Sequence, residues 1–325
     1  MSKQYNFAYD DERVIKLNGN KQNIRIVSND LTNPVILFVH GGPGACDRNI
    51  ALHSQGERLT ALGYTMVVWD QRGAGKSFSP AIFLNRKLKV QDYIEDARAL
   101  VEYLCRELNQ EKIVVFGRSW GTMVCTMLCD QYPEHIAAYI AQGQLVEGEG
   151  NEAVSWAYAM AEAKKAGNLE DVEKLEAIEP VKGLYPSATA MSAQRNLLSK
   201  YGGAEWKDRG GYFSHMVKPF LKYDGYHFWE LPAYAIGGAY LSTFLWPQIV
   251  QHDFTKEIPE LTVPVLMTIG RHDYNTPAPL AEAYFEQLKA PVKKWTWFED
   301  SAHSPVSEEP EKWAAEVYGF LKEVL

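Results

Sequence analysis

Residues 113–128 join one apolar run, Ile113-Val114-Val115-Phe116, to a second, Thr122-Met123-Val124-Cys125-Thr126-Met127-Leu128, through Gly117-Arg118-Ser119-Trp120-Gly121. A short apolar run, a turn and a longer apolar run predict a strand buried on both faces, a sharp corner and a buried helix. The corner has the G-x-S-x-G pattern in which a serine on a strained strand-to-helix elbow is lifted clear of its own backbone. The glycines have a steric reason, because side chains two residues before and after the serine would crowd the helix against the strand. Ser119 is the first candidate for a reacting atom. The alternative is an ordinary strand-to-helix turn carrying the pattern by chance, and the rest of the chain decides between them.

Around this corner the chain alternates. Residues 12–18 and 21–28 flank Asn18-Gly19-Asn20, a hairpin signal. Pro34 to Val39, Tyr64 to Trp69 and Ala137 to Ala141 are further strands, and residues 91–108 carry Tyr93, Ile94, Ala97, Leu100, Val101 and Leu104 at helical spacing. The pattern predicts an α/β fold with a mostly parallel, doubly wound sheet. It lapses over residues 144–252, where Asn151–Ala166 and Asn168–Ile178 read as helices split by Gly167, followed by a stretch rich in aromatic residues. It resumes with a strand over Val263–Ile269, a helix over Leu280–Leu288, a strand over Val292–Phe298 and a helix over Pro310–Leu325. We therefore expect one core, residues 1–143 and 253–325, with a mostly helical insertion at 144–252 acting as a cap.

The 325 residues carry a net charge of −8, which argues against a nucleic-acid partner, since phosphate binding needs a basic face. The N-terminus lacks an apolar core of signal-peptide length and no stretch approaches a membrane span, so a cytoplasmic protein without membrane contact is expected. Cys105, Cys125 and Cys129 lie in apolar helical patterns and read as core, no C-x-x-C or Cys/His cluster suggests zinc, and Cys46 reads as loop packing.

A serine hydroxyl needs a base within hydrogen-bond reach and a third group to orient that base. On a sheet of this kind the acid and then the histidine follow late strands. Asp273, in Gly270-Arg271-His272-Asp273, and His303, in Ser301-Ala302-His303-Ser304-Pro305, hold those places. His272 as base, and Glu299 or Asp300 as acid, are the alternatives; Glu299-Asp300 otherwise reads as a solvated loop face. His40, His53, His135, His215, His227 and His252 read as surface or loop histidines. Two backbone N–H groups must also meet the oxyanion. Trp120 supplies one, and His40-Gly41-Gly42-Pro43-Gly44 the other, from Gly42 first and Gly41 second. Gly73-Ala74-Gly75-Lys76-Ser77 imitates a phosphate loop, but Asp70 occupies the position of its first glycine, so no nucleotide site is expected.

His40-Gly41-Gly42-Pro43-Gly44, Asp70-Gln71-Arg72-Gly73-Ala74-Gly75-Lys76-Ser77, Gly117-Arg118-Ser119-Trp120-Gly121, Gly270-Arg271-His272-Asp273 and Ala302-His303-Ser304 together resemble the proline iminopeptidase group of α/β-hydrolases. The resemblance implies a Ser-Asp-His hydrolase with no metal or other cofactor, a helical cap after the sixth strand, and a small-molecule or short-peptide substrate. It also implies that Asp70 and Arg72 make internal hydrogen bonds. Two departures bear on that substrate. Arg118 stands where members carry a small residue or histidine, and Gly237, in Tyr234-Ala235-Ile236-Gly237-Gly238-Ala239-Tyr240, replaces an acid that binds the substrate's amine. Gly41, Arg118, Glu147, Trp229, Glu230 and Tyr240 are candidate substrate-binding residues. Glu147, Glu149, Glu152 and Glu230 are the acids that could supply the missing charge, each otherwise solvated.

The expected activity is therefore release of N-terminal proline or another apolar residue. The second reading is a carboxylesterase or lactone hydrolase for an uncharged substrate, and the third a noncatalytic small-ligand receptor. A base at His303 predicts activity that falls on acidification.

Overall fold

The structure, a computed structural model, describes residues 5–45, 47–84, 87–210 and 217–325; Cys46 and His215 lie outside them. Asn18 and Gly19 sit at φ of 45° and 85°, the pair of left-handed residues with which a two-residue turn matches strand twist. They join β1 (Tyr9–Leu17) to β2 (Asn20–Ser28), with Leu17 opposite Asn20. The apolar runs form β3 (Val35–Val39), β4 (Thr65–Asp70), β5 (Ile113–Arg118) and β6 (Ile136–Gln142). After the insertion come β7 (Val265–Gly270) and β8 (Lys293–Phe298). The sheet order is β1-β2-β4-β3-β5-β6-β7-β8. β2 pairs antiparallel with β1 and β4, and every other pair is parallel.

Alternate residues of one strand face opposite sides of the sheet, and each side has its own core. Val35, Leu37 and Val39 pack with the helices Val90–Glu107 and Trp120–Gln131. Ile36 and Phe38 pack with the helices Arg48–Ala61 and Pro310–Val324. Covering both faces is what buries β3, β4 and β5 along their whole length.

Between β6 and β7 the chain runs through the helices Gly148–Lys165, Leu169–Glu176, Ala188–Lys200, Lys218–Lys222 and Leu231–Ile249. The Asn168 side chain caps the second, accepting from the Asp171 amide at 3.1 Å. β6 and β7 are nonetheless neighbours, paired from Tyr139 with Val265 to Gln142 with Thr268, so one sheet continues across the excursion. Among the described residues no helix is long and apolar enough to cross a membrane.

Candidate active site

Ser119 links β5 to the helix Trp120–Gln131 at φ 54° and ψ −123°, a conformation that costs a non-glycine residue about 1–3 kcal/mol and persists only where its surroundings impose it. They do so here. The Ser119 amide donates to the Gln142 carbonyl at 2.9 Å, and the Ser119 carbonyl accepts from the Thr122 amide at 2.8 Å and the Thr122 hydroxyl at 2.6 Å. A Cβ on Gly117 would lie 2.5 Å from the Gly121 carbonyl oxygen, and one on Gly121 would overlap the Val39 carbonyl. Both neighbours are backbone, which cannot swing aside. We expect Gly121→Ala to cost about 1–3 kcal/mol of stability or more, read as a lower unfolding midpoint in denaturant; a wild-type midpoint would contradict this packing.

The loops after β7 and β8 bring Asp273 and His303 together. The Asp273 carboxylate is buried and accepts from the Asn275 amide (2.9 Å), the Thr276 amide (3.0 Å) and the Thr276 hydroxyl (3.0 Å). Its Oδ2 lies 2.9 Å from Nδ1 of His303. Gly143, at φ 60°, follows β6 and leaves room for this ring: a Cβ there would lie 2.7 Å from Cε1 of His303. The sequence alternatives are occupied elsewhere. His272 stacks on Trp206 at 3.4 Å between ring centroids, Glu299 pairs with Arg271 at 2.7 Å, and Asp300 is exposed.

The loop after β3 is held from beneath by a network that sequence reasoning missed. His40, expected among surface or loop histidines, is fully buried. Its Nε2 accepts from the Gln71 amide at 3.1 Å, so the remaining proton sits on Nδ1 and is donated to the Gly41 carbonyl at 2.7 Å. Gln71 donates to the His40 carbonyl (2.7 Å) and accepts from the Trp120 indole (2.9 Å). Because a trans peptide is planar, fixing the Gly41 carbonyl aims the Gly42 N–H the opposite way. The Trp120 amide is the first of its helix, one of four N–H groups with no partner inside the helix. Gly42, Ser119 and Trp120 line one cavity of about 100 Å³, together with Leu145, Asn151, Met191, Arg195, Trp246 and residues 275–276.

Of the candidate substrate-binding residues, Gly41 abuts the elbow, a Cβ there lying 3.2 Å from Cβ of Ser119. Arg118, Glu147, Trp229, Glu230 and Tyr240 are not among the residues lining the cavity. Arg118 is buried and bonded to Asp47 and to the Ser304 hydroxyl. Glu147 precedes the helix Gly148–Lys165, Trp229 is exposed and stacked on His227, Glu230 accepts from the His227 amide, and Tyr240 packs against Phe83 and Phe244. Glu152 corrects the expectation of a solvated acid. It is fully buried, and both its oxygens accept from Nη2 of Arg195 at 2.7 and 2.8 Å. At Gly237 a Cβ would lie 2.6 Å from the Gly73 carbonyl oxygen, so the helix Leu231–Ile249 leaves no room there for an acid.

Asp70 and Arg72 do make internal hydrogen bonds. Asp70 accepts from the Tyr226 hydroxyl (2.5 Å) and the Lys76 amide (2.9 Å), and Arg72 holds Asp96 through two bonds of 2.8 Å.

The chain is similar to known proteins along most of its length. A probable aminopeptidase of Bacillus subtilis (strain 168) is 26% identical over 309 residues, covering 92% of each chain. A proline iminopeptidase of Heyndrickxia coagulans is 24% identical over 295 residues, 89% of this chain and 91% of that one. The crystal structure of a proline iminopeptidase from Mycobacterium smegmatis shares the fold, with a TM-score of 0.62 at 16% identity, covering 96% of this chain and 98% of the other. The family described as the alpha/beta hydrolase fold matches residues 34–310, from the strand before the glycine loop to beyond His303, and the chain belongs to that family.

Proposed function

We propose that the protein is a serine hydrolase that cleaves a small amide or ester through an acyl-enzyme, with release of an N-terminal proline or another apolar residue as the leading reaction. The observation that carries this reading is the oriented pair, His303 Nδ1 at 2.9 Å from a buried Asp273, in a fold whose serine elbow and glycine loop border one cavity. Ser119 Oγ attacks the carbonyl carbon and gives its proton to Nε2 of His303. The Asp273 carboxylate holds the Nδ1 proton and balances the imidazolium that forms. The Gly42 and Trp120 N–H groups stabilise the oxyanion. His303 then protonates the leaving amine or alcohol, and water admitted to the acyl-enzyme repeats the sequence to release the acid. In this reading residues 144–252 are the cap, and their Met191, Arg195 and Trp246 line the cavity that holds the substrate.

The names of the curated relatives support the peptidase reading. A second reading, an uncharged ester or lactone as substrate, is favoured by one feature: the one buried acid among the four that could supply the missing charge, Glu152, is already committed to the cavity-lining Arg195 and Asn151 side chains. An incoming ammonium would have to displace a guanidinium from a buried carboxylate, and breaking such a pair costs about 3–5 kcal/mol. The test is a comparison of a proline arylamide, its N-acetylated form and short acyl esters. For an aminopeptidase, acetylation should lower kcat/KM by about 10²-fold or more, the cost of a charged contact left unmade. Equal rates on free and acetylated forms would rule the aminopeptidase out in favour of the second reading.

A further inference from the structure

We propose that Arg118, Ser304 and Glu205 are positioning residues, forming a relay through which segment 203–207 of the insertion holds the His303 loop against the Ser119 elbow. The proposal rests on the roles given above to Ser119, Asp273 and His303.

The segment binds both late loops within five consecutive residues. The Gly203 carbonyl accepts from the Tyr274 amide at 2.8 Å, next to Asp273, and the Ala204 carbonyl accepts from the amide of His303 itself at 2.9 Å. The Trp206 and Lys207 amides donate to Oε1 of Glu308 at 2.8 and 2.9 Å, while Oε2 of Glu308 accepts from the Ala302 amide at 2.9 Å. The Trp206 ring lies flat on His272, 6° from parallel. These contacts leave the Glu205 side chain against the residue after His303. The Ser304 hydroxyl donates to Oε1 of Glu205 at 3.0 Å and accepts from Nη2 of Arg118 at 2.6 Å. Arg118 is the residue before Ser119, and its Nη1 bonds Asp47, whose Oδ1 accepts from the Gly41 amide at 3.4 Å. One chain of contacts thus runs from the glycine loop, past the nucleophile and the base, into the insertion. It gives Arg118 a use that does not require contact with substrate.

Charge explains why the relay needs a neutral member. Glu205 is faced by Glu308, Arg118 and Asp273, and Arg118 already serves Asp47. Partial burial, and next the Glu308 carboxylate, push the Glu205 carboxyl up to about 8. Near neutral pH it is therefore an uncharged acid whose Oε1 accepts from Ser304. A carboxyl with a raised folded-state pKa stabilises the fold below its unfolded value, and that contribution is lost as pH rises through the folded one. Stability should therefore decline as pH rises toward about 8, and the relay should loosen as Glu205 ionises through that value.

The test uses the full chain with whichever ester or arylamide the wild type turns over. Glu205→Ala should lower kcat by about 10- to 100-fold, the scale expected when catalytic groups are misplaced by about an ångström, with KM within about 3-fold and the unfolding midpoint little changed. Glu205→Gln, which keeps an oxygen for Ser304 and cannot ionise, should recover most of kcat. It should also abolish the loss of kcat and of stability that the wild type shows through about pH 8. Arg118→Ala should lower kcat per folded molecule as Glu205→Ala does, but with a lower unfolding midpoint, because it leaves Asp47 buried without its partner. Wild-type kcat in Glu205→Ala, a fall in kcat that only tracks the folded fraction, or an unchanged alkaline loss in Glu205→Gln would overturn the relay. Ser119→Ala separates the two claims: if it is inactive while Glu205→Ala is normal, the relay fails alone, and if Ser119→Ala is active, the nucleophile assignment fails first.

Discussion

Replacing Ser119 with alanine should lower turnover by about 10⁶-fold, because in the proposed mechanism nucleophile and base act as a unit and loss of either removes the covalent route. The substitution is small and the elbow is set by backbone, with the Ser119 amide on Gln142 and its carbonyl on Thr122, so the variant should fold and bind substrate. The residual rate would come from the Gly42 and Trp120 N–H groups and from binding alone, about 10³- to 10⁴-fold over water. His303→Ala should fall as far, and the double variant little further, which is the signature of a unit rather than of two independent contributions. Steady-state kinetics on folded protein checks this, and additive losses in the double variant would contradict it.

Asp273→Asn should reduce kcat by about 10⁴-fold while leaving the fold in place. The carboxylate accepts at Oδ1 from two backbone amides and at Oδ2 from the Thr276 hydroxyl and the His303 Nδ1–H. An asparagine oxygen can still satisfy the two amides at Oδ1, but its NH₂ then faces Nδ1 and favours the imidazole tautomer with the proton on Nε2. That tautomer cannot take a proton from Ser119. Because the defect is one of proton placement, KM should change far less than kcat, and a variant with raised KM and intact kcat would argue that Asp273 holds structure only.

Much of the fold and of the placement of the candidate site residues is legible in the chain itself, and the exceptions share a cause. Gly117 and Gly121, Asn18-Gly19, and the loops bearing Asp273 and His303 announce themselves because their constraints are local: a backbone crossing, a turn, a strand end. The helix Arg48–Ala61 carries no such signal. Arg48, Asn49 and Gln55 are buried on it, bonded to partners as remote as Glu12, Pro219 and Val306, so its polar residues disguise its inner face. His40 reads only as a surface or loop histidine, and Glu152 as solvated, for the same reason, since their partners, Gln71 and Arg195, are 31 and 43 residues away. Gly143 was not singled out either, because the ring it makes room for arrives 160 positions later. Nor does any local pattern mark residues 203–207, whose bonds are to Tyr274, His303 and Glu308.

Labelling with a fluorophosphonate, followed by intact-mass and peptide analysis, reports directly whether Ser119 is the nucleophile and His303 its base. A single adduct is expected at Ser119, none in Ser119→Ala, and labelling of His303→Ala should be slowed by at least about 10²-fold, the lower end of what a positioned general base contributes. Adduct formation at another residue, or labelling of His303→Ala at the wild-type rate, would contradict that assignment.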